Sequence, residues 1–119
     1  MGFAENFEDL QIWQRSRALT NEIYDAFEKC RDLDFRSQVR RAAVSTMNNI
    51  AEGFERRTKK DFAHFLDLSK GSSGEVRSML YLAEDRRYLT TKSAERLRSE
   101  YKDLSKSIGA LASKLRSQQ

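Results

Sequence analysis

The chain has 119 residues, 39% of them hydrophobic and 34% charged, with a net charge of +4 at pH 7, one histidine, one cysteine and no proline. That length allows one domain with a real core, and no apolar run approaches the roughly 18 residues needed to cross a bilayer, so a membrane is excluded as partner. Cys30 stands alone, so no intrachain disulfide can form, and a reducing, cytoplasmic setting is expected.

The start, Met1 to Asn6, has neither a basic region nor an apolar stretch and does not read as a signal peptide. A first helix is predicted over about 8–28, with Leu10, Trp13, Leu19, Ile23, Tyr24 and Phe27 on its apolar face. Trp13 is surrounded by Gln11, Gln14, Arg15 and Arg17 and admits two readings, core or interface.

A second helix is predicted over about 34–54. Its apolar stripe runs through Val39, Ala42, Ala43, Thr46, Met47, Ile50 and Phe54, flanked by Arg40, Arg41, Ser45, Asn48, Asn49 and Glu52. Adjacent mid-helix asparagines are locally costly. The side chains that impose this cost are expected to hydrogen-bond to a partner helix, another subunit or a ligand. Gly53, close to the helix end, would permit a turn.

The following segment, Glu55-Arg56-Arg57-Thr58-Lys59-Lys60, carries four positive charges. With Arg36, Arg40 and Arg41 it is expected to make one basic end that contacts phosphates. By quarters the chain carries net charges of −3, +4, −1 and +4, so the second and fourth quarters are basic. Such a split fits nucleic-acid contact, and equally fits complementary charge between helices or subunits.

Thr58 is expected to cap a third helix over about 59–85, with Asp61 well placed in its first turn. Inside it lies Ser69-Lys70-Gly71-Ser72-Ser73-Gly74-Glu75. The two glycines are read as small-residue packing: Gly71, Ser72 and Gly74 would let the Ser45/Asn48/Asn49/Glu52 face of the second helix approach, with Glu75 pairing to Arg40 or Arg41. A fourth helix over about 91–116 places Leu97, Tyr101, Leu104, Ile108, Leu111 and Leu115 at alternating spacings of four and three, a heptad seam that belongs to the core. Four such helices with short connections predict an all-α, antiparallel, up-down-up-down four-helix bundle in a single domain over 1–119.

No catalytic constellation accompanies this pattern, and no enzyme is expected. A di-iron centre needs two Glu-x-x-His pairs; His64 is alone and follows Asp61, so no metal is expected. No phosphate loop ends in Gly-Lys-Ser/Thr, so no cofactor is expected. Glu52 and Glu75 have no nucleophile or base beside them.

Several segments taken together carry a resemblance. Phe7-Glu8-Asp9-Leu10-Gln11-Ile12-Trp13-Gln14, Gln38-Val39-Arg40-Arg41-Ala42-Ala43-Val44-Ser45, Asn49-Ile50-Ala51-Glu52-Gly53-Phe54, Asp61-Phe62-Ala63-His64-Phe65-Leu66 and Lys70-Gly71-Ser72-Ser73-Gly74-Glu75 occur in order from about residue 7 to residue 89. They resemble the four-helix-bundle proteins of the 23S rRNA intervening-sequence family. The resemblance implies a bacterial cytoplasmic protein, a homo-oligomer with a pentameric ring as the expected form. A related branch, the accessory protein of diversity-generating retroelements, binds nucleic acid and a reverse transcriptase. Where the family often has Ser-Ile-Pro, this chain has Ser45-Thr46-Met47, so its second helix should lack a proline kink.

Two functions follow as expectations. The first is a nucleic-acid-associated accessory factor contacting RNA or DNA phosphates through Arg36, Arg40, Arg41, Arg56, Arg57, Lys59 and Lys60. The second is a structural or protein-interaction scaffold with no nucleic-acid role. In either case Ser45, Asn48, Asn49, Glu52, Ser72 and Glu75 would form a polar network between helices or subunits, with Trp13 as a further interface residue.

Overall fold

A short 3-10 turn, Phe7–Asp9, precedes four helices in the computed structural model, which describes residues 4–118. They are α1 (Gln11–Ala26), α2 (Leu33–Phe54), α3 (Lys59–Asp85) and α4 (Thr91–Ser117). The first helix is shorter than its apolar spacing suggested. Leu10 adopts an extended backbone (φ −74°, ψ 126°) and buries its side chain, which separates the 3-10 turn from α1. The other starts are capped by side chains that take up otherwise unpaired backbone N–H groups. Asp32 accepts from the Phe35 N–H, Thr58 from the Asp61 N–H and Thr90 from the Ser93 N–H.

Consecutive helices pack side by side, and the cross-links fix their direction. Thr20 reaches the Ala43 carbonyl and Arg40 the Tyr24 carbonyl; Ser69 reaches the Thr46 carbonyl and Ser72 bonds Ser45; Ser73 reaches the Tyr101 carbonyl and Arg98 pairs with Glu84; Arg96 pairs with Glu22 and Arg15 bonds Ser107. As one helix of each pair ascends in number its neighbour descends, so the bundle is antiparallel, up-down-up-down. α2 runs unbroken from Leu33 to Phe54, as the missing proline predicts. The molecule measures 45 × 19 × 19 Å, which matches 27-residue helices of about 40 Å at 1.5 Å per residue.

The core runs the length of the bundle and includes the heptad seam of α4, with Leu97, Tyr101, Leu104, Ile108 and Leu115 buried. Gly53 does not make a turn. It is buried within α2 where α3 crosses closest, and a Cβ there would lie 2.7 Å from the Phe65 Cβ and 3.2 Å from the Phe62 carbonyl.

The interior also holds hydroxyls. Ser69 Oγ donates to the Thr46 carbonyl at 2.6 Å, and Ser73 Oγ lies 2.7 Å from Ser105 Oγ. Such bonds offset the desolvation cost of placing small polar residues in a core. Two hydroxyls lack that compensation, Ser16 Oγ and the Tyr101 hydroxyl, both fully buried. The Thr20 hydroxyl beside Tyr101 donates to the Ser16 carbonyl at 2.8 Å. Burial raises the Tyr101 phenol well above its ordinary range. Tyr101→Phe is therefore expected to raise unfolding free energy by about 1 kcal/mol, because it removes a buried unpaired group and leaves the ring in place. Urea denaturation reads this directly, and a loss of stability would mean that the hydroxyl is hydrogen-bonded in solution.

Candidate nucleic-acid interface

The basic residues that sequence spacing groups together are divided by the fold. Arg36, Arg40 and Arg41 sit near the start of α2, and Arg56, Arg57, Lys59 and Lys60 follow its end. Twenty residues of helix separate Arg36 from Arg56, about 30 Å at 1.5 Å per residue. The expected single basic end is therefore two groups at opposite ends of the bundle.

At the first end the arginines are occupied. Arg40 places its guanidinium over the Tyr24 ring at 4.5 Å, donates to the Tyr24 carbonyl at 2.7 Å and pairs with Glu28 at 3.2 Å. Arg36 donates to the Glu28 carbonyl at 3.3 Å. Both thus satisfy carbonyls at the C-terminus of α1, where cations also complement the helix dipole. They hold α1 against α2. Arg41 remains exposed.

At the second end Arg56 bonds Glu52 at 3.0 Å and lies 4.6 Å over the Phe65 ring. Arg57, Lys59 and Lys60 are exposed and make no ion pair among the described residues. Lys59 and Lys60 are the first two residues of α3. The dipole there is positive, so each cation is placed unfavourably by about 0.3–1 kcal/mol. The same spot is where an anion gains from the dipole and from free N–H groups.

The polar face of α2 is only partly a network. Ser45 Oγ lies 2.9 Å from Ser72 Oγ, and Asn49 Nδ2 donates to the Ser45 carbonyl at 2.9 Å and to Ser45 Oγ at 3.0 Å. Asn48 is exposed, and Glu52 faces Arg56. Glu75 pairs with neither arginine: Arg40 is held by Glu28, while Arg41 and Glu75 line a shallow cleft of about 330 Å³ with Gln38 and Ser45, too far apart for an ion pair. Gly71 and Gly74 do not face α2 either, since a Cβ on either would meet nothing within 4 Å. The approach they were expected to permit does not occur within the chain. Trp13 is half-buried, edge-on to Phe7 at 5.1 Å and covered by Arg17 at 5.7 Å.

Among the described residues no group of three or more His, Cys, Asp or Glu could hold a metal ion, and no helix is long and apolar enough to cross a membrane.

A family model described as 23S rRNA-intervening sequence protein matches residues 8–110. The chain belongs to that family. The match runs from within the 3-10 turn through the basic connection and most of α4. A solved structure from Bacteroides thetaiotaomicron, titled a protein with unknown function from the S23 ribosomal protein family, is similar at a TM-score of 0.81 and 17% identity, over 85% of this chain and 97% of that one. At that identity the likeness speaks for the fold. No curated protein matches. Family membership thus agrees with the four-helix architecture and assigns no activity to it.

Sequence reasoning missed a feature at the opposite end. Tyr88, in the α3–α4 connection, donates its hydroxyl to Asp32 Oδ2 at 2.7 Å, while Asp32 Oδ1 caps α2. The phenol and then the Phe35 N–H hold the Asp32 carboxyl below its usual range, and the carboxylate in turn raises the Tyr88 phenol. Nothing local marks this pair, because 56 residues separate its members.

Proposed function

We propose that the chain is a non-enzymatic accessory protein that binds the phosphate backbone of RNA or DNA through its α2–α3 connection, working as a homo-oligomer. The observation that carries this reading is the cluster of Arg57, Lys59 and Lys60, exposed and without acidic partners at the N-terminus of α3, where their own helix disfavours them. Cations kept in such a place gain from a phosphate, which binds cation and helix end together. Arg56 supports the cluster and is anchored on Glu52 and Phe65. Assembly into a ring, with a pentamer as the form implied by the sequence resemblance, would set several such clusters side by side. A reverse transcriptase is the protein partner that the same resemblance suggests.

The scaffold reading draws on a different surface. Along α3, Leu68 and Leu82 stay 44% and 48% exposed on the same side as Gly71 and the Glu75 cleft. A face that is apolar, small and polar in turn suits a second copy of the chain.

The test is light-scattering mass after size exclusion, with labelled single-stranded RNA and DNA titrated at several salt concentrations. The wild type is expected to form an oligomer that binds nucleic acid and releases it in salt. In Arg57→Ala/Lys59→Ala/Lys60→Ala the slope of log affinity against log salt should shrink by about 2, taking about 0.7 per phosphate on a single strand. Unchanged binding in that variant overturns the site, and a fixed oligomer indifferent to nucleic acid favours the scaffold.

A further inference from the structure

Arg87 has a positive φ of 61°, alone among the described non-glycine residues. It occupies the position just past α3 at which the chain reverses: the Tyr88 N–H bonds the Ala83 carbonyl at 2.8 Å and the Arg87 N–H the Glu84 carbonyl at 3.0 Å. This pair of bonds is the usual helix ending in which glycine occupies the left-handed residue. An arginine there carries a steric penalty that glycine does not. Complementing the dipole of α3 does not require it, because Arg86 already stands at the same helix end beside Asp32 and Tyr88.

Arg87 borders two neighbouring clefts, one with Glu84 and Asp85 and one with a second group of cations. The second is the one without a free acidic flank from α3. In that cleft, of about 540 Å³, Arg87 stands together with Lys29 and Arg31 from the α1–α2 connection, over Ala26 and Tyr88. None of Lys29, Arg31 and Arg87 makes a side-chain hydrogen bond or an ion pair among the described residues. Asp32 is the one carboxylate in the lining. Its oxygens accept from the Phe35 N–H and the Tyr88 hydroxyl, and it forms no ion pair with the three cations among the described residues.

We infer that this cleft is an anion site for a phosphate group, separate from the α2–α3 cluster and at the other end of the bundle. Three cationic residues from two connections line one concave surface, and the backbone at Arg87 is held in a disfavoured conformation beside it. Arginine suits a phosphate because its fork donates two parallel hydrogen bonds to phosphate oxygens. The phosphate can come from a free nucleotide or from a nucleic-acid backbone. In the second case one elongated bundle would hold strands at both ends.

Inorganic pyrophosphate is the probe, titrated at low salt into the full, isotope-labelled chain with backbone amide shifts as readout. Saturable shifts are expected around residues 29–32 and 86–90, independently of any shifts at the α2–α3 connection. Arg87→Gly should weaken binding about tenfold and also raise the thermal midpoint, because it relieves the left-handed backbone. A merely structural arginine would not give that opposition. Arg31→Ala should weaken binding without the gain in stability. If shifts are absent or unsaturable, or if Arg87→Gly binds as the wild type does, the inference is overturned. Its failure is distinguishable from failure of the α2–α3 reading, since Arg57→Ala/Lys59→Ala/Lys60→Ala should leave the pyrophosphate shifts intact. A short single-stranded oligonucleotide moving the same amides would identify the source as nucleic acid, and shifts with pyrophosphate alone would identify a small ligand.

Discussion

Gly53→Ala is expected to lower the unfolding free energy by about 2 kcal/mol, while Gly71→Ala and Gly74→Ala raise it by about 0.5–1 kcal/mol each. All three glycines lie inside helices, where alanine is the better former by about 1 kcal/mol. What differs is the space beyond the backbone. At residue 53 the new methyl would sit 2.7 Å from the Phe65 Cβ and 3.0 Å from Phe62 Cδ1, with the Phe62 carbonyl at 3.2 Å. The Phe65 Cβ is fixed directly to the α3 backbone and the Phe62 carbonyl is part of it, so neither can swing aside and α2 and α3 must separate. Phe62 and Phe54, which stack edge-on at 5.9 Å, would lose contact in the process. At residues 71 and 74 the methyl meets nothing within 4 Å, so only the gain in helix propensity and the lost freedom of the unfolded chain count. Urea midpoints followed by circular dichroism should therefore move in opposite directions. If Gly53→Ala stabilised the protein as the other two do, α2 and α3 would not be in the close contact that fixes the α2–α3 connection and its cations.

That sign change shows where sequence reading stops. Spacings of three and four residues made all four helices legible, and Thr58 was legible as a cap because a cap acts within three residues. The seam of α4 was legible for the same reason, since Leu97, Tyr101, Leu104 and Ile108 repeat along a single element. Gly53 and Gly71 look alike in the chain, and only the neighbouring helix distinguishes them. The basic residues failed to group because proximity in sequence was read as proximity in space across 22 helical residues. Arg40 was misjudged because its partners, Tyr24 and Glu28, lie 16 and 12 residues back. The polar network was half legible: Ser45 and Asn49 are a turn apart and do bond, whereas the Glu75 contact depended on how α2 and α3 are rotated. The Tyr88–Asp32 pair and the cleft beside it unite two connections with no shared sequence signal.

Arg40→Ala is expected to cost about 2 kcal/mol of stability and to leave the salt dependence of nucleic-acid binding unchanged. Its hydrogen bond to the Tyr24 carbonyl is charge-assisted, a class worth about 1.5–3 kcal/mol. Its stacking on the Tyr24 ring adds about 0.5–1 kcal/mol. The pair with Glu28 adds little, because the carboxylate is largely exposed and water screens it. The gross sum is reduced because the Arg40 Nε, buried and without a partner, is removed with the side chain. The Arg40 side chain is itself only 18% exposed, so it has little surface left to offer a phosphate. The triple replacement of Arg57, Lys59 and Lys60 should show the reverse: a smaller salt slope with unchanged or slightly higher stability, because like-signed charges leave the positive end of α3. The two variants measured side by side therefore separate a charge that holds helices together from charges that face a ligand. If Arg40→Ala reduced the salt slope and left the urea midpoint in place, the interface would lie at the start of α2, and the contacts to Tyr24 and Glu28 would be ones that Arg40 gives up when nucleic acid binds.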